Sequence, residues 1–210
     1  MTLYKQNFRI ILTYLIVLVL PSACAQLFKL TPQIFLLTTI FDLLGALGLL
    51  VFNRRRTANS LEYHPAPLKT IIMWGISGIL LTLLVQVLAG IVDHLIFKNS
   101  ANSLNTITLM TAMRQQPWLI LAVTIAAPVM EEIVFRGAIF GGLSGTINPL
   151  WAALISSLLF SLLHQDGHLI IYAAIGLFLC WLYRKTGSLY TTIISHAGMN
   201  LLVTLTYLLR

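Results

Sequence analysis

Ala127-Pro128-Val129-Met130-Glu131-Glu132-Ile133-Val134-Phe135-Arg136 places two adjacent carboxylates and a guanidinium inside an apolar run reaching from about Pro117 to Phe140. The chain has only 6 acidic residues in 210, and two of them stand here. Ionised groups at membrane depth are costly and rarely face lipid, so such a cluster marks a functional site. The plainer reading is an ion pair that only locks helices together. Two later apolar segments each carry a histidine, which favours the functional reading.

The surroundings of this stretch set the class. The chain is 58% hydrophobic and 9% charged, with a mean hydropathy of +0.90. An ordinary soluble domain is about a quarter charged. Apolar runs cover residues 8–28, 33–52, 69–97, 117–140, 149–164, 169–183 and 188–208. Several reach the roughly 18 residues that cross a bilayer as a helix. The expected fold is all-α, a polytopic transmembrane bundle of about seven spans, with its cavity among the C-terminal helices. Residues 1–116 are expected to supply N-terminal spans, and 117–207 the chemical core.

Working outward, the first run begins after Lys5 and Arg9 and ends near Pro21 and Ala23-Cys24-Ala25, which resembles a signal-peptide cleavage site. An uncleaved span is the preferred reading, because Leu27, Phe28 and Leu30 extend the apolar run. Asp42, within the second run, reads as a satisfied contact between helices. Arg54, Arg55 and Arg56 read as a cytoplasmic anchor that also suits anionic lipid headgroups. Asp93 and His94 read as an interfacial polar end, and residues 98–116 as an external loop with a short amphipathic piece.

The net charge of +7 does not point to nucleic acid, because the basic residues lie beside spans. With the N-terminus inside, Lys5, Arg9, Arg54, Arg55, Arg56, Lys69, Arg184 and Lys185 fall on the cytoplasmic side. Lys29, Lys98, Arg114 and Arg210 fall outside. This asymmetry follows the positive-inside bias. Cys24 and Cys180 lack the spacing of a disulfide framework or a cysteine metal site.

Helical spacing then separates the two glutamates. Residues four apart share a face, so Glu132 pairs with Arg136. Glu131 sits about 100° further round and is left to face a cavity as a general base. Pro128 should bend the helix and free a carbonyl. His196 and Asn200 share a face, as do Phe160 and His164. An imidazole and an amide aimed at one cavity can bind water, a metal or a polarised carbonyl oxygen. One difficulty stands: by helical rise alone, Glu131 and His164 lie about 10 Å apart in depth. The Pro128 bend, the 141–149 segment or helix tilt must close that gap.

Glu-Glu-x-x-x-Arg, Phe-x-x-x-His and His-x-x-x-Asn occur in this order on three separate apolar segments. The set resembles the CPBP family of intramembrane proteases, the CAAX prenyl-endopeptidase, bacteriocin-immunity and Abi-like group, over about residues 117–207. The resemblance implies an endopeptidase acting on a membrane-associated peptide or protein in a bacterial cell membrane. It implies that Glu131 activates water, that Glu132 and Arg136 support it, and that His164, His196 and Asn200 complete the site.

The family is usually classed as metalloprotease, yet the soluble signature His-Glu-x-x-His is absent. His164, His196 and Glu131 would supply three zinc ligands. Metal-free activation of water by Glu131 and His164, with His196 and Asn200 as the oxyanion site, uses the same residues. Two rivals remain at this stage: a non-enzymatic immunity or interaction protein, and a proton-coupled transporter. A transporter favours inverted repeats, and none is visible.

Overall fold

The computed structural model describes residues 2–98 and 104–209, and all the regular structure among them is helical. Helices α1 (Leu3–Leu27), α2 (Ile34–Arg55) and α3 (Leu68–Phe97) come first, followed by the short α4 (Leu104–Gln115). A continuous but irregular helix, α5, covers 119–143. Helices α6 (Pro149–His164), α7 (Leu169–Thr186) and α8 (Leu189–Leu208) complete the bundle. The seven apolar runs therefore each become a helix. Four helices, those built on 3–27, 31–55, 68–97 and 169–186, are long and apolar enough to cross a membrane. The exterior is correspondingly apolar: Leu80, Leu84, Val87 and Leu88 of α3 are all exposed. Such a surface is matched to lipid rather than to water.

α5 is the axis of the bundle. Met130, Ile133, Val134, Phe135, Ala138 and Phe140 all belong to the main core. α1 and α2 pack along one side, with Tyr14 meeting Phe135 edge-on at 6.1 Å. α6, α7 and α8 close the other side, and α3 packs on α7 and α8. Gly78 allows α3 its approach to α8, since a Cβ there would collide with the Ser195 hydroxyl. Ser195 in turn donates to the Gly75 carbonyl at 3.0 Å.

Pro128 shapes α5 as the sequence implies, but by a change of pitch. A prolyl ring has no N–H and clashes with the carbonyl four residues back. The preceding stretch, Ala122–Ala126, is π-helical, and the Ala127 N–H reaches back to the Ala122 carbonyl. A second π stretch runs over Glu132–Phe140. Ser156 of α6 donates to the Phe135 carbonyl inside it at 2.7 Å.

That bond also sets the register that closes the depth gap. With Phe135 level with Ser156, Glu131 and His164 differ by about 6 Å along the axis. The helices run in opposite directions, and side chains lean toward the N-terminus of their own helix. Glu131 and His164 therefore lean toward each other across the remainder.

One end of the bundle gathers the N-terminus, the 56–67 connection, the end of α5 and the α7–α8 turn. Thr57 donates to Gln6, Asn7 to the Ala138 carbonyl, Asn59 to Tyr183, and Ala66 to the Thr186 carbonyl. Arg56 pairs with Glu62 at 2.6 Å, and Gly187 makes the turn at φ +62. The alternating topology thus places the basic residues assigned to the cytoplasm at one end. Arg210 lies outside the described residues.

At the other end, α4 replaces much of the expected loop. Its Met110, Ala112 and Met113 form a satellite core with Leu119 and Ala122 of α5. Residues 99–103 of that segment lie outside the described residues.

Candidate active site

Glu132 is fully buried and serves two partners from one oxygen. Its Oε1 lies 3.1 Å from Arg136 Nη1 and 2.8 Å from His196 Nδ1. The first contact is the i, i+4 pair expected from spacing. The second joins α5 to α8 and is invisible in the sequence, because the partners lie 64 residues apart. A carboxylate only accepts, so His196 Nδ1 carries the proton and Nε2 turns the other way. There it stands 3.7 Å from Glu131 Oε2. That separation is too long for a direct hydrogen bond and within reach of one bridging water.

Arg136 is held as tightly. Its Nη2 approaches the Gly176 carbonyl at 3.4 Å, and its guanidinium lies 4.5 Å over the Phe160 ring. A desolvated cation over an aromatic face gains about 2 kcal/mol. Phe160 is the hub of the aromatic side. It meets Phe135 at 5.2 Å, His164 at 4.7 Å and His196 at 5.9 Å, all edge-on.

His164 ends α6. Its Nδ1 donates to the Phe160 carbonyl at 2.9 Å, which folds the ring back one turn and, in the neutral imidazole, makes Nε2 the acceptor. Gln165 then adopts a left-handed conformation, φ 49, and Gly167 follows at φ 83. This turn reverses the chain so that Tyr172 of α7 stacks on His164, with centroids 3.8 Å apart. The Tyr172 hydroxyl donates to Asp166 at 2.6 Å and fixes the ring.

Asn200 donates from Nδ2 to the Val123 carbonyl at 3.0 Å. Glu131, His164, His196 and Asn200 line one cavity of about 360 Å³, with Phe135 and Phe160 in its wall. The three sequence motifs therefore meet at one place. Their chemistry is a carboxylate at the edge of a closed aromatic wall, two oriented imidazoles and an anchored amide.

A family model described as Type II CAAX prenyl endopeptidase, Rce1-like, matches residues 113–202. The membrane-embedded CAAX protease MroQ of Staphylococcus aureus is 31% identical over 208 residues, 95% of this chain and 84% of that one. The chain belongs to the Rce1-like CAAX protease family. It is also similar to YdiL of Bacillus subtilis, whose name marks it as a candidate membrane peptidase. That likeness is 35% identity over 133 residues, 63% of this chain and 54% of the relative. The chain thus spans about half the length of that relative. The protein YxdF of Lactococcus lactis is 35% identical over 79 residues, 37% of this chain and 43% of that one. No solved structure matches the chain. This member of the family is an integral membrane protein.

The N-terminal helices add residues that the motifs did not include. Tyr14, Leu18, Thr38 and Asp42 line the same cavity as Glu131. The expectation for Asp42 is corrected. It has no hydrogen-bond or ion-pair partner among the described residues and faces the cavity, because α2 turns that side toward α5 rather than toward a polar group. Asp93, near the end of α3, is also not solvent-facing. It is buried, and its Oδ2 meets His168 Nδ1 at 2.9 Å, tying α3 to the turn before α7. Those two residues border a larger cavity, about 610 Å³, which contains none of the motif residues. Tyr172 could have been suspected only as an aromatic four residues past the α6–α7 turn.

The donor types Glu131, His164 and His196 suit zinc. Their arrangement does not. Among the described residues, no three histidine, cysteine, aspartate or glutamate side chains converge closely enough to hold a metal ion.

Proposed function

We propose that this protein is an intramembrane endopeptidase that hydrolyses a peptide bond of a membrane-associated peptide or protein, in a bacterial cell membrane with the N-terminus cytoplasmic. The observation that supports it most is the convergence of Glu131, His164, His196 and Asn200 on one cavity inside an apolar bundle. Family membership supports the reaction class.

Glu131 takes a proton from a water molecule as its oxygen attacks the scissile carbonyl carbon. Nε2 of His164 is an acceptor and holds the second hydrogen of that water. The carbonyl oxygen becomes an oxyanion. Asn200 uses one amide hydrogen on Val123 and has the other for that oxygen. His196 Nε2 stands beside the Glu131 carboxyl and steadies it while it carries the proton. The C–N bond then breaks, and Glu131 returns the proton to the leaving amine. The net change is one water added across one amide.

The test is Glu131→Gln in the full chain, read as chain-dependent peptide products from host membranes by mass spectrometry. Glutamine keeps the shape but cannot accept the proton. Products should vanish while the purified protein keeps its melting temperature. Wild-type product levels from the variant would sink the proposal and favour a non-enzymatic interaction role.

A further inference from the structure

The cavity holds more carboxyl groups than the hydrolytic reaction uses. Asp42 is 8% exposed, faces the cavity, and has no partner among the described residues. Glu131 faces the same space. Arg136 is fully buried and committed to Glu132. His196 gives its Nδ1 proton to Glu132 as well. Among the described residues, no lysine or arginine lines the cavity. Two carboxylates that share a low-dielectric space repel each other, and an uncompensated buried charge is strongly destabilising. A chain that retains such a group at membrane depth uses it.

The walls around Asp42 are suited to a long side chain. Thr38 lies one turn before it on α2, and its hydroxyl is occupied by the Ile34 carbonyl at 2.9 Å. Leu18 and Tyr14 of α1 line the same cavity, together with Leu109, Leu119 and Phe135. Apolar lining beside a carboxylate fits a methylene stem ending in a cation.

We propose that Asp42 is the anionic end of a subsite that takes a cationic side chain, lysine or arginine, of the peptide substrate. The proposal rests on the reading of this cavity as the substrate site. It lies outside residues 113–202, which the family model covers. The subsite's specificity is therefore a property of the N-terminal helices, while the peptide-cleaving groups sit on the C-terminal ones.

The test is equilibrium binding to the purified full chain, with no cleavage in the readout. The probes are the acetylated amides of Leu-Lys-Leu and Leu-norleucine-Leu, which differ only in the terminal charge. Wild type should prefer the lysine peptide by about tenfold. Asp42→Asn should bring the two affinities together by weakening the lysine peptide alone, and Asp42→Glu should restore most of the preference.

The Glu131→Gln chain should keep the preference, which separates this inference from the fate of the proteolytic reading. Preference lost in Glu131→Gln but kept in Asp42→Asn would assign the subsite to Glu131 and overturn the proposal. Equal affinity of wild type for both peptides, or no binding of either, would overturn it without any variant having to fold.

Discussion

The side-chain amide of Asn200 on α8 is bonded to the backbone carbonyl of Val123 on α5, 77 residues away in sequence. The carbonyl is available because of Pro128. Ala127 has turned its N–H to Ala122, and residue 128 has no N–H to offer. A helix defect thus positions the Asn200 amide in the cavity wall, where we propose it meets the carbonyl oxygen of the substrate.

Pro128→Ala should therefore damage the reaction more than the fold. It supplies an N–H that competes for the Val123 carbonyl and lets the π stretch relax. Misplacing one catalytic group by about 1 Å costs on the order of 10²-fold in rate. Cleavage should fall by about that much while the melting temperature holds or rises. An unchanged rate would show that Asn200 does not depend on the defect.

Arg136→Ala should fail differently. Removing one member of a buried pair leaves Glu132 uncompensated, at about 3–5 kcal/mol. Folded yield and melting temperature in detergent should both drop, with activity following the folded fraction. Normal yield and stability would show that Phe160 and Gly176 do not need the guanidinium between them.

These two residues also mark how far the sequence reached. The Glu132–Arg136 pair was legible because four residues span one helical turn, and the freed carbonyl was legible because proline always frees one. The taker of that carbonyl, the Glu132 bond to His196 and the turn of Asp42 into the cavity were not. Each depends on how two distant helices are rotated, and periodicity within one helix carries no information about that. The apolar exterior of α3 gave the class at once, yet a lipid-facing helix shows almost no amphipathic stripe from which to read its rotation.

Tyr172 offers a test of ring placement. Its stack on His164 has the geometry of an aromatic pair worth about 0.5–1.5 kcal/mol. Tyr172→Phe keeps the stack and loses the hydroxyl's bond to Asp166, so most activity should remain. Tyr172→Leu should lower kcat by about tenfold with little change in KM, because the role proposed for His164 is on water rather than on substrate binding. Equal rates in the two variants would remove the orienting role.

Topology can be checked independently of chemistry. Lys5, Arg9, Arg54, Arg55, Lys69, Arg184 and Lys185 flank the end where the 56–67 connection bonds to Gln6 and to Thr186. A reporter fused after Arg56 should read cytoplasmic, and one within 98–116 external. The reverse pattern would put the arginine-rich end outside and move the access side of the cavity to the cytoplasm.

Metal removal is the last test, and the hydrogen bonds define its outcome. His164 and His196 each spend Nδ1 on a protein acceptor, Phe160 and Glu132 respectively. Each has only Nε2 left for a metal, and Glu131 is the remaining carboxylate beside them. A zinc site needs such atoms at about 2 Å from one point; His196 Nε2 and Glu131 Oε2, 3.7 Å apart, are spaced as two such ligands, but among the described residues no third group converges with them. Protein dialysed against a strong chelator should therefore keep its cleavage rate and contain well under one zinc per chain. His164→Ala and His196→Ala should lose activity without any change in metal content. Stoichiometric zinc that both variants lose, with activity restored by zinc after chelation, would replace the water-activating role of His164 with metal ligation.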